Sequence, residues 1–134
     1  MAKSRILVVD DDPMILELLV TRLDLAGYEV VTARDGHEAL KRIPDTHPHA
    51  MILDINMPRL DGFGVLQHLK ATGCILTLPV MVLTARYQAS DVQEAIKLGA
   101  IDFLAKPFKD KQLFMRVERL LRSTARPADD HLFI

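Results

Sequence analysis

Hydrophobic positions along the chain follow two rhythms. Five short runs are apolar or β-branched at nearly every position: residues 5–9 (RILVV), 28–33 (YEVVTA), 50–54 (AMILD), 79–84 (PVMVLT) and 101–105 (IDFLA). Three of them are apolar on both alternating faces, as parallel strands are when helices cover both sides of a sheet. Between the runs lie longer segments whose apolar residues recur at helical spacing. Five repeats of strand then helix predict one α/β domain, a doubly wound parallel sheet with right-handed crossovers.

Punctuation residues support that division. Pro13 stands where a first helical residue belongs, with Asp12 before it as N-cap, and Gly27 after the helix as its stop. Ile15, Leu18, Leu19, Leu23 and Ala26 are expected on the inward face of this first helix. Asp35 with Glu38, and Ser90 with Gln93, have capping-box spacing ahead of the second and fourth helices. Residues 61–73 (DGFGVLQHLKATG) supply the third helix, and Leu113, Phe114, Val117, Leu120 and Leu121 the stripe of the fifth. From Ser123 the stripe ends, so residues 1–122 are expected to form the domain and 123–134 a tail or the start of a linker.

Composition narrows the class. The 134 residues suit one domain with a real core, and 49% hydrophobic with 26% charged residues is the balance of an ordinary soluble protein. A net charge of -1 suggests neither a nucleic-acid nor a membrane surface. Cys74 is the one cysteine, so no intrachain disulfide can form and a reducing compartment fits best. The start MAKSRILVVDDD carries an apolar run too short for a signal peptide or a membrane span, and the cytoplasm is the expected location.

Chemistry enters where the runs stop. In an open parallel sheet, ligands bind outside the carboxyl ends of the strands. Those ends read Asp10-Asp11-Asp12, Arg34-Asp35, Asp54, Thr84 and Lys106. Asp10, Asp11 and Asp54 meet if the first and third strands are neighbours. Two unit charges about 4 Å apart cost on the order of 4 kcal/mol at an effective dielectric near 20, so such a cluster needs raised pKa values or a cation. Hard oxygen ligands with room for water and a phosphate favour Mg²⁺. Lys106 adds a point charge and Thr84 a hydroxyl, which completes the parts needed for phosphoryl transfer.

The segments ILVVDDDP, MILDINMPRLDG, VMVLTA and DFLAKPF stand in the order, and at roughly the intervals, of receiver domains of two-component response regulators; the chain resembles that family over about residues 4–122. The resemblance implies a flavodoxin-like (βα)5 fold with strand order 2-1-3-4-5. It implies that Asp54 accepts a phosphoryl group from a histidine kinase or histidine phosphotransfer protein, with Mg²⁺ as cofactor. Asp11, Asp54 and the backbone carbonyl of Asn56 would ligate the ion directly, and Asp10 through a water. Lys106 would pair with the phosphoryl oxygens, its bond to Pro107 being cis. Thr84 would close onto the phosphate and Phe103 would follow it inward, shifting the face of helix 4, strand 5 and helix 5. Pro58 and Gly62 would shape the loop walling the site. The implied protein is a switch that assists its own phosphorylation and dephosphorylation, and no enzyme acting on other substrates.

Some positions depart from the family's pattern. Phe103 stands where tyrosine is common, Lys109 where a small capping residue is frequent, leaving Asp110 as the expected N-cap of the last helix. Arg86, two residues past Thr84, is expected to affect water access to the phosphoryl group. Asp102, Arg116 and Arg122 sit at dimer-contact positions of related receivers, whereas Ile101 and Gln112 replace acids used there; a homodimer through helix 4, strand 5 and helix 5 is thus an expectation with mixed support. His47 and His49 are expected to be solvated loop residues, and the six methionines core fillers.

Three other functions fit the same outline. A phosphohydrolase of the haloacid-dehalogenase type needs a second acid two residues after its aspartate, where this chain has Asn56. A flavodoxin-like FMN carrier needs a phosphate-cradling loop after the first strand, where DDDPM would repel phosphate. A phosphate-independent interaction module stays open from sequence alone.

Overall fold

The computed structural model describes residues 3–123. Its strands are β1 (Arg5–Val9), β2 (Glu29–Ala33), β3 (Ala50–Leu53), β4 (Val80–Thr84) and β5 (Asp102–Ala105). Its helices are α1 (Pro13–Leu25), α2 (Gly36–Thr46), α3 (Gly62–Thr72), α4 (Ala89–Lys97) and α5 (Asp110–Arg122), with a short 3₁₀ turn at Cys74–Leu76. All strand pairs are parallel and the sheet runs β2-β1-β3-β4-β5, the order the resemblance implied.

Strand alternation divides the core into two layers. Leu7, Val9, Met51, Leu53, Val80 and Val82 face one side and pack with Ala39, Val65, Leu66, Leu69, Ala95 and Leu98 from α2, α3 and the α4 end. Ile6, Val8, Ala50, Ile52, Met81 and Leu83 face the other and meet Leu16, Leu19 and Leu23 of α1 and Leu113, Val117 and Leu120 of α5. Each fully buried Leu or Ile contributes roughly 1.5–3 kcal/mol, so the unbroken apolar runs are what hold both layers on one sheet. The sheet's rigidity fixes everything mounted on its rim.

Several local expectations are corrected. The buried stripe of α1 is Leu16, Leu19 and Leu23, with Ile15 and Leu18 half-buried and Ala26 exposed. The helix ends at Leu25, and Gly27 at φ 97 turns the chain away before Ala26 can reach the core. Ser90 and Gln93 do not cap α4. Gln88 is its N-cap, and its N–H donates to Oδ2 of Asp91 at 3.2 Å. Lys109, in extended conformation, is the N-cap of α5, and its N–H donates to Oε1 of Gln112 at 3.0 Å. Asp110 is the first helical residue and pairs with Arg22 at 3.0 Å. At α2, Asp35 accepts from the Glu38 N–H at 2.8 Å, while Glu38 reaches the Arg34 N–H, one residue short of a full capping box.

His47 and His49 are exposed between α2 and β3, as expected, and His49 Nδ1 also accepts the Arg5 N–H at 2.8 Å at the start of β1. Met14 and Met115 are exposed rather than core fillers, whereas Met51, Met57 and Met81 are buried. Of the expected tail, only Ser123 lies within the described residues, where it caps α5.

Candidate functional site

Strand register builds the site. Val9 pairs with Leu53, and each strand hands its next position to an acid. The Asp54 N–H donates to the Val9 carbonyl at 3.0 Å and the Asp10 N–H to the Ala33 carbonyl at 3.2 Å, so the sheet ladder still holds the backbone beneath both carboxylates. Asp10 is 2% exposed and Asp54 6%, while Asp11 faces solvent. One ligand oxygen from each of the three lies within 4.8 Å of the others.

Lys106 arrives from β5. Its N–H donates to the Thr84 carbonyl at 2.9 Å, and its bond to Pro107 is cis. The ammonium lies 2.7 Å from Asp10 Oδ2 and 3.4 Å from Asp54 Oδ2. Burial alone would lower the Lys106 pKa, but the hydrogen bond to Asp10 and the charges of Asp54 and Asp10 outweigh it, and the pKa is raised. Asp10 is also raised, because its desolvation outweighs the bonds it accepts from Lys106 and the Asp12 N–H and the charge of Asp54 adds to it. Lys106 is therefore held as a cation at neutral pH, and Asp10 carries the cost of burial.

Asp54 Oδ1 accepts the Ile55 N–H at 2.7 Å, which leaves Oδ2 facing Lys106. Gly62 presses on this same backbone. A Cβ there would meet the Asp54 carbonyl oxygen and come within 2.8 Å of the Ile55 Cα, while the Gly62 N–H bonds the Ile55 carbonyl at 2.8 Å. The glycine is what lets α3 start against the acid-bearing strand. Between them, Leu60 N–H bonds the Pro58 carbonyl around Arg59 at φ 68, a strained γ-turn pinned by the Arg59–Asp35 ion pair at 3.1 Å.

Of the expected site residues, the structure joins Asp10, Asp11, Asp54 and Lys106. Thr84 ends β4, is 1% exposed, and its hydroxyl accepts the Arg86 N–H at 3.2 Å, leaving its own proton free to donate. Phe103 is half-buried against the α2–α4 side of the core. The Asn56 side chain is exposed and accepts from Arg86 at 3.3 Å. Sequence reading missed the near-complete burial of Asp91, 5% exposed, and its pairing with Arg86 at 2.8 Å. The signal available was an acid in the first turn of α4 with an arginine five residues before it.

Three carboxylates cluster at this rim and the Lys106 ammonium lies beside two of them, Asp10 and Asp54, so acid groups outnumber cations by two. An all-oxygen donor set of that charge fits a hard divalent cation. A family model described as "Response regulator receiver domain" matches residues 6–118. This chain is a response regulator receiver domain. It is 46% identical over 125 residues to the "Probable transcriptional regulator ycf27" of Cyanophora paradoxa, covering 93% of this chain and 51% of that protein. It is 47% identical over 126 residues to the "Response regulator MprA" of Mycobacterium avium (strain 104), covering 94% of this chain and 54% of the relative. Chemotaxis protein CheY4 of Vibrio cholerae superposes with a TM-score of 0.83 at 33% identity, over 89% of this chain and 99% of that one. NtrX of Brucella abortus gives 0.87 at 33% identity, over 99% of this chain and 30% of its own. The receiver domain thus spans about half the length of the curated relatives it matches. No helix among its described residues is long and apolar enough to cross a membrane.

Proposed function

We propose that Asp54 is the phosphoryl acceptor of this receiver domain. A carboxylate oxygen of Asp54 attacks the phosphorus of a phosphohistidine on a sensor histidine kinase or histidine phosphotransfer protein. The new O–P bond makes an acyl phosphate, the P–N bond breaks, and its electron pair returns to the imidazole. The observation that carries this reading is the Lys106 ammonium set between Asp10 and Asp54, because a cation already placed beside the nucleophile is what developing phosphoryl charge requires. Asp11, Asp54 and the Asn56 carbonyl, with Asp10 through water, would hold Mg²⁺, which when bound neutralises phosphoryl charge.

The domain acts as a switch rather than as an enzyme on external substrates. Thr84 has its hydroxyl proton to donate to a phosphoryl oxygen, and Phe103 repacks behind it. The face of α4, β5 and α5 then changes its packing. Moving such an equilibrium from 1:99 to 99:1 takes about 5.5 kcal/mol of differential stabilisation. Charge-assisted hydrogen bonds at roughly 1.5–3 kcal/mol each supply it in two to four contacts. Ile96, Ile101 and Met115 are exposed, and we place a homodimer contact on this face. Asp102 is paired within its own chain to Arg116 at 2.6 Å and Arg119 at 3.0 Å, and Arg122 to Glu118, so a dimer must reuse these pairs. The single Cys74, unpaired, fits a cytoplasmic protein.

Intact mass after incubation with Mg²⁺ and acetyl phosphate tests the proposal. Gain of one phosphoryl group in wild type, and none in Asp54→Asn or in EDTA, is expected. No gain from acetyl phosphate or from any of a panel of histidine kinases would overturn it and leave a phosphate-independent binding module.

A further inference from the structure

Arg86 makes more contacts than any function above uses. Its Nε donates to Asp91 Oδ1 at 2.8 Å and its Nη1 to Asn56 Oδ1 at 3.3 Å, while its guanidinium lies 5.5 Å from the Phe63 ring centre. Its own N–H is bonded to the Thr84 hydroxyl at 3.2 Å. One residue therefore touches the end of β4, the loop after Asp54, the first turn of α3 and the first turn of α4. We propose that Arg86 is a positioning residue that couples the Asp54 site to the start of α4 through Asp91; the inference rests on the phosphoryl-acceptor reading of Asp54.

The four contacts differ in what they hold. Asp91 is 5% exposed and its other oxygen takes the Gln88 N–H at 3.2 Å, so this carboxylate is fixed in the α4 cap and needs a cation. Arg86 is that cation, in a charge-assisted bond at short distance. The Asn56 contact is longer, neutral on its acceptor side and exposed. When Thr84 is drawn toward a phosphoryl oxygen, the Arg86 backbone is drawn with it by their shared hydrogen bond. The guanidinium then keeps the stronger partner and gives up the weaker one. Asn56 is released, and the first turn of α4 follows Arg86. The Phe63 ring supports the guanidinium's flat face during the exchange. The pairing thus links a group at the rim of the site to the first turn of α4.

Two readouts separate this coupling from the receiver reading. In the unphosphorylated chain, amide hydrogen exchange is measured for wild type, Arg86→Met, Asp91→Asn and the double variant. Each single change is expected to speed exchange of the amides at 88–92 by roughly tenfold, and the double variant to add little, as for residues that share one interaction. Effects that multiply, or none in either single variant, would overturn the link. Asp91→Asn carries this comparison if Arg86→Met fails to fold. The second readout uses beryllofluoride with Mg²⁺ as a phosphoryl analogue. Wild type is expected to shift the amide resonances of α4, and Arg86→Met to bind the analogue with Asp54 and Lys106 responding but α4 shifting by less than about half as much. A full α4 shift in Arg86→Met would overturn the coupling. Failure of wild type to bind the analogue counts against Asp54 as acceptor, and the exchange data then decide the Arg86–Asp91 link by themselves.

Discussion

Asp10 holds together two demands that oppose each other. Its carboxylate is almost wholly buried beside Asp54, yet the cation role proposed for it requires charge. Because its pKa is raised above the unfolded value, the folded chain holds this proton more tightly than the unfolded one. The stability that follows is full below the unfolded pKa and is lost as pH rises through the folded pKa. In Mg²⁺-free buffer, the melting temperature of Asp10→Asn relative to wild type should therefore climb as pH rises from the ordinary carboxylate range through the raised pKa of Asp10; a flat or falling difference would contradict it. Gly62 sits under the same constraint of space. Gly62→Ala should cost roughly 1–3 kcal/mol in denaturant unfolding by overpacking the strand that carries Asp54, and slow phosphoryl gain at Asp54. The acids and Lys106 were legible in the sequence because charged residues that end apolar runs stand out. Arg86 stood out by its place two residues past Thr84, but its pairing with Asp91 did not, since a five-residue spacing alone does not show that the carboxylate is buried or that the guanidinium also reaches Asn56.

Elements were legible from period, but their phase and ends were not. Apolar spacing marked α1, yet Ile15 and Leu18 are only half-buried, while Leu16 takes the core position between them. A 3.6-residue period admits neighbouring stripes, and the packing against Ile6, Val8 and Ile52 chooses one. Leu16→Ala should cost about 2–5 kcal/mol in chemical unfolding, and Ala26→Ser no more than about 0.5 kcal/mol. The reverse order would mean that the inward face of α1 was assigned wrongly. Helix starts failed in a related way. Residue type favoured Ser90 and Asp110 as caps, but the chain leaves β4 and β5 in extended loops whose last extended residues are Gln88 and Lys109. Backbone geometry decides the cap, and Asp91 and Gln112 then reach back to the N–H groups at the N-cap residues.

For the molecule as a whole, the rigid sheet and the mobile chemistry have separate supports. Two core layers fix the strand ends, and the site sits at the rim beyond them, where charge can be added without disturbing either layer. A cation that binds only the folded chain should stabilise it by about 2.7 kcal/mol at a hundredfold excess over its dissociation constant. Thermal unfolding with and without Mg²⁺ should show that gain in wild type and lose it in Asp11→Asn, whose carboxylate faces solvent and makes no hydrogen bond or ion pair among the described residues. The doubly wound parallel class was foreseeable from the alternating runs and helices, whereas the strand order β2-β1-β3-β4-β5 was legible only through the family resemblance. The central claim is that Asp54 becomes the acyl phosphate. Borohydride reduction of the phosphorylated chain, followed by peptide mass mapping, tests it most directly, because reduction converts an aspartyl phosphate to homoserine at the modified position. Homoserine at residue 54 is the predicted result. Homoserine at Asp10 or Asp11 instead, or at no position in a chain that has gained phosphoryl mass, would contradict it.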